Sequence, residues 1–470
     1  MIWLGLAALA AVRLVVAGTT ELSPDEAYYW VWSRALAPGY LDHPPMVALW
    51  IRAGTALAGQ GAFGVRLLGP LSAALGSVLL ARAADDFFPQ RRPGAAAAAL
   101  LNATLLMGAG AVTMTPDTPL LFFWTVALWA LARLLRTGDG WWWLVVGAAS
   151  GAALDSKYTA VLLGAGIALW LVADPVGRSW LRRPWPWAGA AIAGSLFAPV
   201  LAWNAAHGWA SFAKQGGRTG AWHPAQALQY SGELLGGQLG LATPLVFAAC
   251  VLGVRAAGRD ALRRNSGAAL LSALVLPGTL VFVQHALGDR VQANWPAILY
   301  PAACIAAAAY ARRLVRPACV LGFAITAAVY VQAEGAFALP RRFDPTLVRL
   351  GGWDALARDV GQAAAGAAFV ATDSYGLASI LTRGLRVEVV GLDPRWSLFP
   401  LAPATATAPG LLIRSLRRGD PPDAAAWQGL TPLGTVRRAR NGVVAEEYAL
   451  YQVVPRPGVA IGVGLPHPGD

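Results

Sequence analysis

Carboxylates are sparse in this chain, and the first group of them stands in Glu21-Leu22-Ser23-Pro24-Asp25-Glu26-Ala27-Tyr28-Tyr29-Trp30-Val31-Trp32-Ser33. Ser23 is a helix cap, Pro24 suits a first helical position, and Glu26 lies three residues after the cap, as a capping box requires. Asp25 and Glu26 therefore fall in a first helical turn, where acids also complement the helix dipole. The aromatic residues Tyr28, Tyr29, Trp30 and Trp32 describe a helix lying at a membrane interface. Such a helix holds a carboxylate just above the bilayer, where the head group of a lipid-linked molecule sits. A second group follows in Gly39-Tyr40-Leu41-Asp42-His43-Pro44-Pro45-Met46, whose prolines fix the backbone and start a helix running to about Gly59. Helix N-termini favour anions, so His43 is read as a phosphate contact, with packing and metal ligation as the other readings. Asp42 and His43 are too few ligands to infer a metal, and a divalent cation stays open.

Two further polar points interrupt apolar sequence. Asp117, between Pro116 and Pro119, is placed to cap the helix after it. Asp155-Ser156-Lys157 breaks a long apolar run, and a polar tip of this kind is costly unless it reaches a wet cavity or a partner charge. Interfacial snorkelling is the plainer reading of Lys157. Farther on, two outer loops gather polar and aromatic residues: His207, Trp209, Lys214, Arg218, Trp222 and His223, then His285, Asp289, Arg290, Gln292, Asn294 and Trp295, with an interfacial belt as one reading.

The elements that must position these residues follow from composition. Of 470 residues 56% are hydrophobic and only 13% charged, about half the charge of an average soluble domain. Apolar runs fall near 2–18, 66–83, 95–112, 118–135, 141–154, 158–173, 186–204, 236–254, 266–284, 296–311 and 317–334, about eleven candidate spans. The net charge of +12 comes from arginines in short clusters between these runs, not on one basic face, so it reads as topology and not as nucleic-acid binding. With the N-terminus inside, every basic cluster (Arg91/Arg92, Arg133/Arg136, Arg178/Arg182/Arg183, Arg255/Arg259/Arg263/Arg264, Arg312/Arg313/Arg316) falls inside, and the carboxylates, histidines and aromatics face outward. Met1 to Gly18 reads as a retained first span. Cys250, Cys304 and Cys319 lie in apolar runs and read as small buried hydrophobes.

After Pro340 the pattern changes to soluble length scales. Helices are expected over 353–364 and 374–382, strands over 367–372, 386–390 and 410–414, and a hairpin at Asn441-Gly442. The expected organisation is a transmembrane module over 1–335, a small α/β extracytoplasmic domain over 336–454, and a disordered tail over 455–470. Asp373, Tyr375 and Trp396 are the exposed candidates of that domain.

Ser23-Pro24-Asp25-Glu26-Ala27-Tyr28-Tyr29-Trp30, Asp42-His43-Pro44-Pro45, Arg66-Leu67, Thr115-Pro116-Asp117-Thr118-Pro119-Leu120 and Ser156-Lys157-Tyr158-Thr159 together resemble the family 39 and 83 group of GT-C membrane glycosyltransferases. That group includes protein O-mannosyltransferases, the aminoarabinose transferase of lipid A and the rhizobial galacturonosyltransferases. The resemblance covers roughly residues 1–335 and is strongest over the first 160; its motifs are distinctive in combination and weak singly. It implies an all-α polytopic GT-C fold with interfacial helices in the first outer loop and inverting transfer from a polyprenyl-phosphate sugar to a hydroxyl of a lipid, glycan or protein. It implies Asp25 as general base with Glu26 as helper, and His43, Arg66 and Lys157 at the donor phosphate. His43 stands where the aminoarabinose transferase carries lysine. Arg66 reads otherwise as a head-group anchor. The cleft would be lined by Tyr28, Tyr29, Asp42, Asp117, Asp289, Arg290 and Asn294, with the loop from His207 to His223 on the acceptor side and the loop from His285 to Trp295 at the donor opening, since aromatic faces suit sugar rings. The implied setting is a bacterial inner membrane with the chemistry on its outer side.

Competing readings are a transporter or flippase, which calls for mid-membrane polar residues and repeated halves, and a non-catalytic assembly protein. A nucleotide-sugar donor is disfavoured because no soluble Rossmann-like domain with a Gly-rich turn is present.

Overall fold

In the computed structural model, which describes residues 2–217, 222–423, 427–458 and 460–469, the apolar runs are helices and the described part of the segment after Pro340 is a mixed sheet with three α-helices, Pro345–Leu350, Trp353–Ala363 and Tyr375–Gly384. Among the described residues five helices are long and apolar enough to cross a hydrocarbon layer: Ala62–Phe87, Asp117–Thr137, Pro184–Ala206, Ser266–Ala286 and Arg312–Ala333. Three bent pairs, Trp3–Thr19 with Pro24–Arg34, Tyr158–Ala173 with Pro175–Leu181, and Pro224–Leu241 with Pro244–Ala261, raise this to eight when each pair counts as one span. The chain is a polytopic helical membrane protein, and large apolar side chains such as Val161, Val172, Leu228 and Val320 stand exposed on its helices, as lipid-facing positions must.

Each expected apolar run is helical, but not each is one uninterrupted span. The 95–112 run is split into Gly94–Asn102 and Leu105–Gly110, because Thr104 turns out of the helix and its side chain caps the Met107 N–H. The 236–254 run breaks at Thr243, which sits at φ +68 before Pro244, and the two helices meet at 106°. Proline lacks the N–H that would continue a helix and disfavours a helical residue before it. Asp155-Ser156-Lys157 does interrupt its run: helix Trp142–Leu154 ends there and a short 3-10 turn, Tyr158–Ala160, leads into Val161–Ala173.

By contacts the chain divides into two units. The first, formed by 1–14, 38–47 and 68–327, has a core reaching from Leu80 to Ala318, with Trp124, Leu128, Leu131 and Trp170 fully enclosed. Helix Leu68–Phe87 packs on Asp117–Thr137, which packs on Trp142–Leu154, which packs on Pro184–Ala206. The last of these contacts is backbone against backbone. A Cβ on Gly147 would lie 2.1 Å from the Gly189 carbonyl oxygen, and one on Gly189 would lie 2.4 Å from that of Trp143. Close approach through small residues is how helices associate where solvent gives no hydrophobic drive. Cys250 and Cys304 are buried with their sulfurs 3.8 Å apart and unbridged.

The second unit, formed by 15–37, 48–67 and 328–470, joins the first acidic group to the C-terminal segment. Its strands are β1 (Phe369–Thr372), β2 (Glu388–Gly391), β3 (Pro403–Ala404), β4 (Gly410–Ser415), β5 (Trp427–Arg440), β6 (Val443–Pro455) and β7 (Gly462–Gly464). They form one sheet in the order β3-β7-β2-β1-β4-β6-β5, with β1 parallel to β2 and β4 and the outer pairings antiparallel. Parallel neighbours need a crossover, and helix Tyr375–Gly384 supplies it between β1 and β2. The Asn441-Gly442 turn has both residues at positive φ and joins β5 to β6 as a tight hairpin. The stretch after Pro455, expected to be a disordered tail, instead places β7 between β2 and β3, because the edge of β2 offers unpaired backbone groups.

Replacing Gly147 by Leu should force the Trp142–Leu154 and Pro184–Ala206 helices apart at a cost of about 1–3 kcal/mol or more. A lower unfolding midpoint of the detergent-solubilised protein, against an unchanged Gly164→Leu control whose Cβ position meets nothing, is the expected measurement.

Candidate active site

Neighbouring residues in a helix point about 100° apart, and this separates the two acids of the first group. Ser23 caps helix Pro24–Arg34: its Oγ accepts the Glu26 N–H, while Glu26 Oε2 accepts the Ser23 N–H at 3.0 Å. The Glu26 carboxylate is thereby turned inward, where Arg66 Nε donates to Oε1 at 2.6 Å and Nη2 to Oε2 at 2.8 Å. The remaining Arg66 protons go to the carbonyls of Ala17, Thr20 and Glu21 and to the Thr20 hydroxyl. Both side chains are 0% exposed. The roles expected for them, helper base and donor-phosphate contact, are therefore corrected: burial and full pairing leave neither group a face for a ligand. Asp25 points the other way, with 41% of its side chain exposed. The Tyr375 hydroxyl donates to its Oδ1 at 3.2 Å, and Arg349 Nη1 lies 3.7 Å from Oδ2.

Tyr28 and Tyr29 are also corrected, from cleft lining to core. Both are buried, and Tyr28 packs against the rings of Tyr375, Trp396 and Phe399 at centroid distances of 4.6, 5.4 and 6.1 Å. The aromatic run that suggested an interfacial helix is satisfied by aromatic partners more than three hundred residues away in sequence. Trp396, expected exposed, is buried in this cluster, and Asp373 is held by Arg414 at 2.6 Å. Glu21, not singled out from sequence, accepts the Trp353 N–H at 2.7 Å, and burial raises its carboxyl above the usual range.

In the other unit Lys157 Nζ meets Asp117 Oδ1 at 2.7 Å, and Asn294 Nδ2 donates to Asp117 Oδ2 at 2.6 Å. Three residues read separately from the sequence are thus one polar cluster, with Lys157 only 9% exposed. Asp42 accepts from Lys214 Nζ at 2.5 Å, and its carbonyl accepts from Gln215. His43 is half-buried beside it in the chain, before the Met46 N–H that donates to the Asp155 carbonyl at 2.9 Å. Arg290 is engaged by Glu233 at 2.6 Å, and Asp289 lies 3.9 Å from His285. Of the loop residues expected on an acceptor side, His207 stacks on Trp203, Trp209 and Trp222 are exposed, and Arg218 lies outside the described residues. Tyr158 bonds Ser211 at 2.8 Å, a pairing that no sequence signal announced. Among the described residues no three His, Cys, Asp or Glu side chains gather as a metal site.

Asp155 differs from the other acids. It sits in the link between two helices, its buried Oδ1 has no hydrogen-bond donor among the described residues, and burial pushes its carboxyl up to about 7. Between the ordinary value of 3.8 and 7 the folded protein then binds more protons at this site than the unfolded chain, so stability falls as pH rises through that window.

Comparison with known proteins agrees with this architecture. Residues 42–203 match the family profile described as dolichyl-phosphate-mannose-protein mannosyltransferase. The lipid A galacturonosyltransferase RgtD of Rhizobium johnstonii is 30% identical over 300 residues, 61% of this chain and 60% of RgtD, so the match spans three fifths of that relative's length. The crystal structure of ArnT from Cupriavidus metallidurans in the apo state superimposes with a TM-score of 0.66 at 15% identity, covering 96% of this chain and 97% of ArnT. The ArnT structure bound to undecaprenyl phosphate gives 0.62 at 17% identity, with the same coverage.

Two outcomes test the geometry. Arg66→Met should destabilise by about 3–5 kcal/mol, since it strands a buried carboxylate, and should read as a large drop in unfolding midpoint. Asp155→Asn should raise the midpoint above pH 7, with the gain shrinking toward pH 4. The likeness to GT-C membrane glycosyltransferases, carried by motifs in the sequence, thus holds also in family profile, in a curated relative and in fold.

Proposed function

We propose that the chain transfers a glycosyl unit from a polyprenyl-phosphate sugar to a hydroxyl acceptor, with inversion, at the outer face of a bacterial inner membrane. The observation that carries this reading is the division of labour within the acid pair. Glu26 is locked to Arg66, whereas Asp25 in the same helical turn keeps an open carboxylate. In the proposed step the acceptor oxygen attacks the anomeric carbon from the side opposite the phosphate. Its proton passes to Asp25, the bond from carbon to phosphate oxygen breaks, and polyprenyl phosphate leaves with the bonding pair. One positioned base suffices for such a single displacement.

Phosphate recognition is assigned to Lys157, with His43 as a second contact. Fixed cations in a water-poor site stabilise a departing phosphate strongly. The Asp117 and Asn294 partners orient the ammonium. Support also comes from the relatives: ArnT has been solved with undecaprenyl phosphate, and RgtD is named for transfer to lipid A. The acceptor is accordingly a lipid, glycan or protein hydroxyl. The outward orientation rests on the arginine clusters, which one topology places entirely inside.

The test is release of polyprenyl phosphate from a panel of lipid-phosphate sugars with membrane-extract acceptors present. Asp25→Asn should lower kcat by about 10²–10⁴-fold while the donor KM holds. An Asp25→Asn variant that turns over like the wild type would remove the base assignment, and a silent wild type across the whole panel would favour transport.

A further inference from the structure

The two groups that meet the Asp25 carboxylate both come from the last third of the chain. Arg349 is the weaker: its side chain is 71% exposed and its contact, at 3.7 Å, is solvent-screened. Tyr375 is built in. It is the first residue of helix Tyr375–Gly384, whose cap is Ser374, with Ser374 Oγ accepting the Leu377 N–H. Its ring is held on one side by the Arg395 guanidinium, 3.7 Å from the ring centre, and packs on Tyr28 of the helix that carries Asp25. The next residue has to be small: a Cβ on Gly376 would fall 2.7 Å from Pro24 Cβ, so any larger residue would push this first turn away from the turn bearing Asp25. Ring stack and close approach together bring the phenol within hydrogen-bonding reach of Oδ1.

We propose that Tyr375 is a positioning residue for the Asp25 carboxylate, so that the C-terminal segment completes the catalytic group instead of merely covering it. The hydroxyl holds the Asp25 carboxylate in one orientation through Oδ1. This inference rests on the base role given to Asp25 above. A base held to within a fraction of an ångström is worth far more than one that rotates freely.

The experiment uses the full chain with a polyprenyl-phosphate sugar that the wild type accepts. Tyr375→Phe keeps the ring and removes only the hydroxyl; kcat should fall about 10–100-fold with the donor KM unchanged. Gly376→Ala, which retains the hydroxyl but displaces it, should lower kcat in the same way, again with the donor KM unchanged. An activity-independent readout is the frequency of the Asp25 carboxylate stretch, identified by infrared difference against Asp25→Asn; it should move in Tyr375→Phe as the hydrogen bond is lost. An unmoved band with unchanged kcat in Tyr375→Phe would overturn the proposal, as would a kcat loss matched by a lower unfolding midpoint with no movement of the band. The Asp25→Asn control separates the two levels. If it is inactive while Tyr375→Phe is silent, only the positioning role falls; if it is fully active, the base role falls and Tyr375 with it.

Discussion

Arg66 and Glu26 form a buried, doubly bonded ion pair, and the geometry of the acidic loop depends on it. Taking two charges out of water is costly, and the pair is tolerable only because every remaining donor on the guanidinium finds an acceptor. Those acceptors are the carbonyls of residues 17, 20 and 21 and the Thr20 hydroxyl, the backbone that ends helix Ile2–Thr19 and leads into the Ser23 cap. One side chain from forty residues onward thus ties off the helix end, and its partner Glu26 closes the capping box of the next helix. With that turn fixed, the direction of Asp25 is fixed too, since it precedes Glu26 by a single helical step. The ion pair contributes specificity of shape more than net stability.

The same turn explains why the C-terminal segment belongs with the first loop. Helix Pro24–Arg34 is buried along most of its length, with Trp30 and Trp32 fully enclosed, and a helix so rich in aromatic surface needs partners of its own kind. Tyr375, Trp396 and Phe399 provide them. Arg383 adds a guanidinium over the Trp30 ring and a bond to the Gln60 carbonyl, while Trp30 Nε1 donates to Gln60 Oε1. Aromatic packing with polar tips satisfied at the edge is worth more than area alone. Glu21 receiving the first N–H groups of helix Trp353–Ala363 serves the same association from the other end, an N-terminus capped by a carboxylate supplied from a distant part of the chain.

What was legible in the sequence was local. The capping box at Ser23, the break at Asp155 to Lys157, the helices near 353 and 375, and the Asn441-Gly442 hairpin each depend on residues within a few positions of one another, and each is present. What was not legible depends on contacts across the chain. Nothing adjacent to Arg66 announces that its partner is Glu26, so a lone arginine at the start of an apolar run read as a lipid or phosphate contact. The aromatic run after Asp25 has the composition of an interfacial helix whether lipid or protein covers it. The strand β7 is three residues long, with two glycines, and carries no alternation to detect; its existence is decided by the free edge of β2. The Thr243-Pro244 break had a signal in the proline, but the surrounding apolar residues outweighed it.

The Lys157 cluster is internally paired, with Asp117 shared between Lys157 and Asn294. An ammonium has three donors, and the bond to Asp117 uses one of them. Asp117 is in turn held on its other oxygen by Asn294, so it keeps a partner even when Lys157 swings. Under the proposed chemistry a phosphate can therefore be taken up by the remaining ammonium protons without stranding the carboxylate. That matters because an unpaired charge in a dry site costs far more than a shared one. Removing Lys157 alone would leave Asp117 facing the phosphate, two like charges in low dielectric, whereas removing both would leave a neutral and weaker site. The ion pair keeps the Lys157 ammonium ordered in a nearly closed site, which is what the proposed role as counter-charge to a phosphate asks of it.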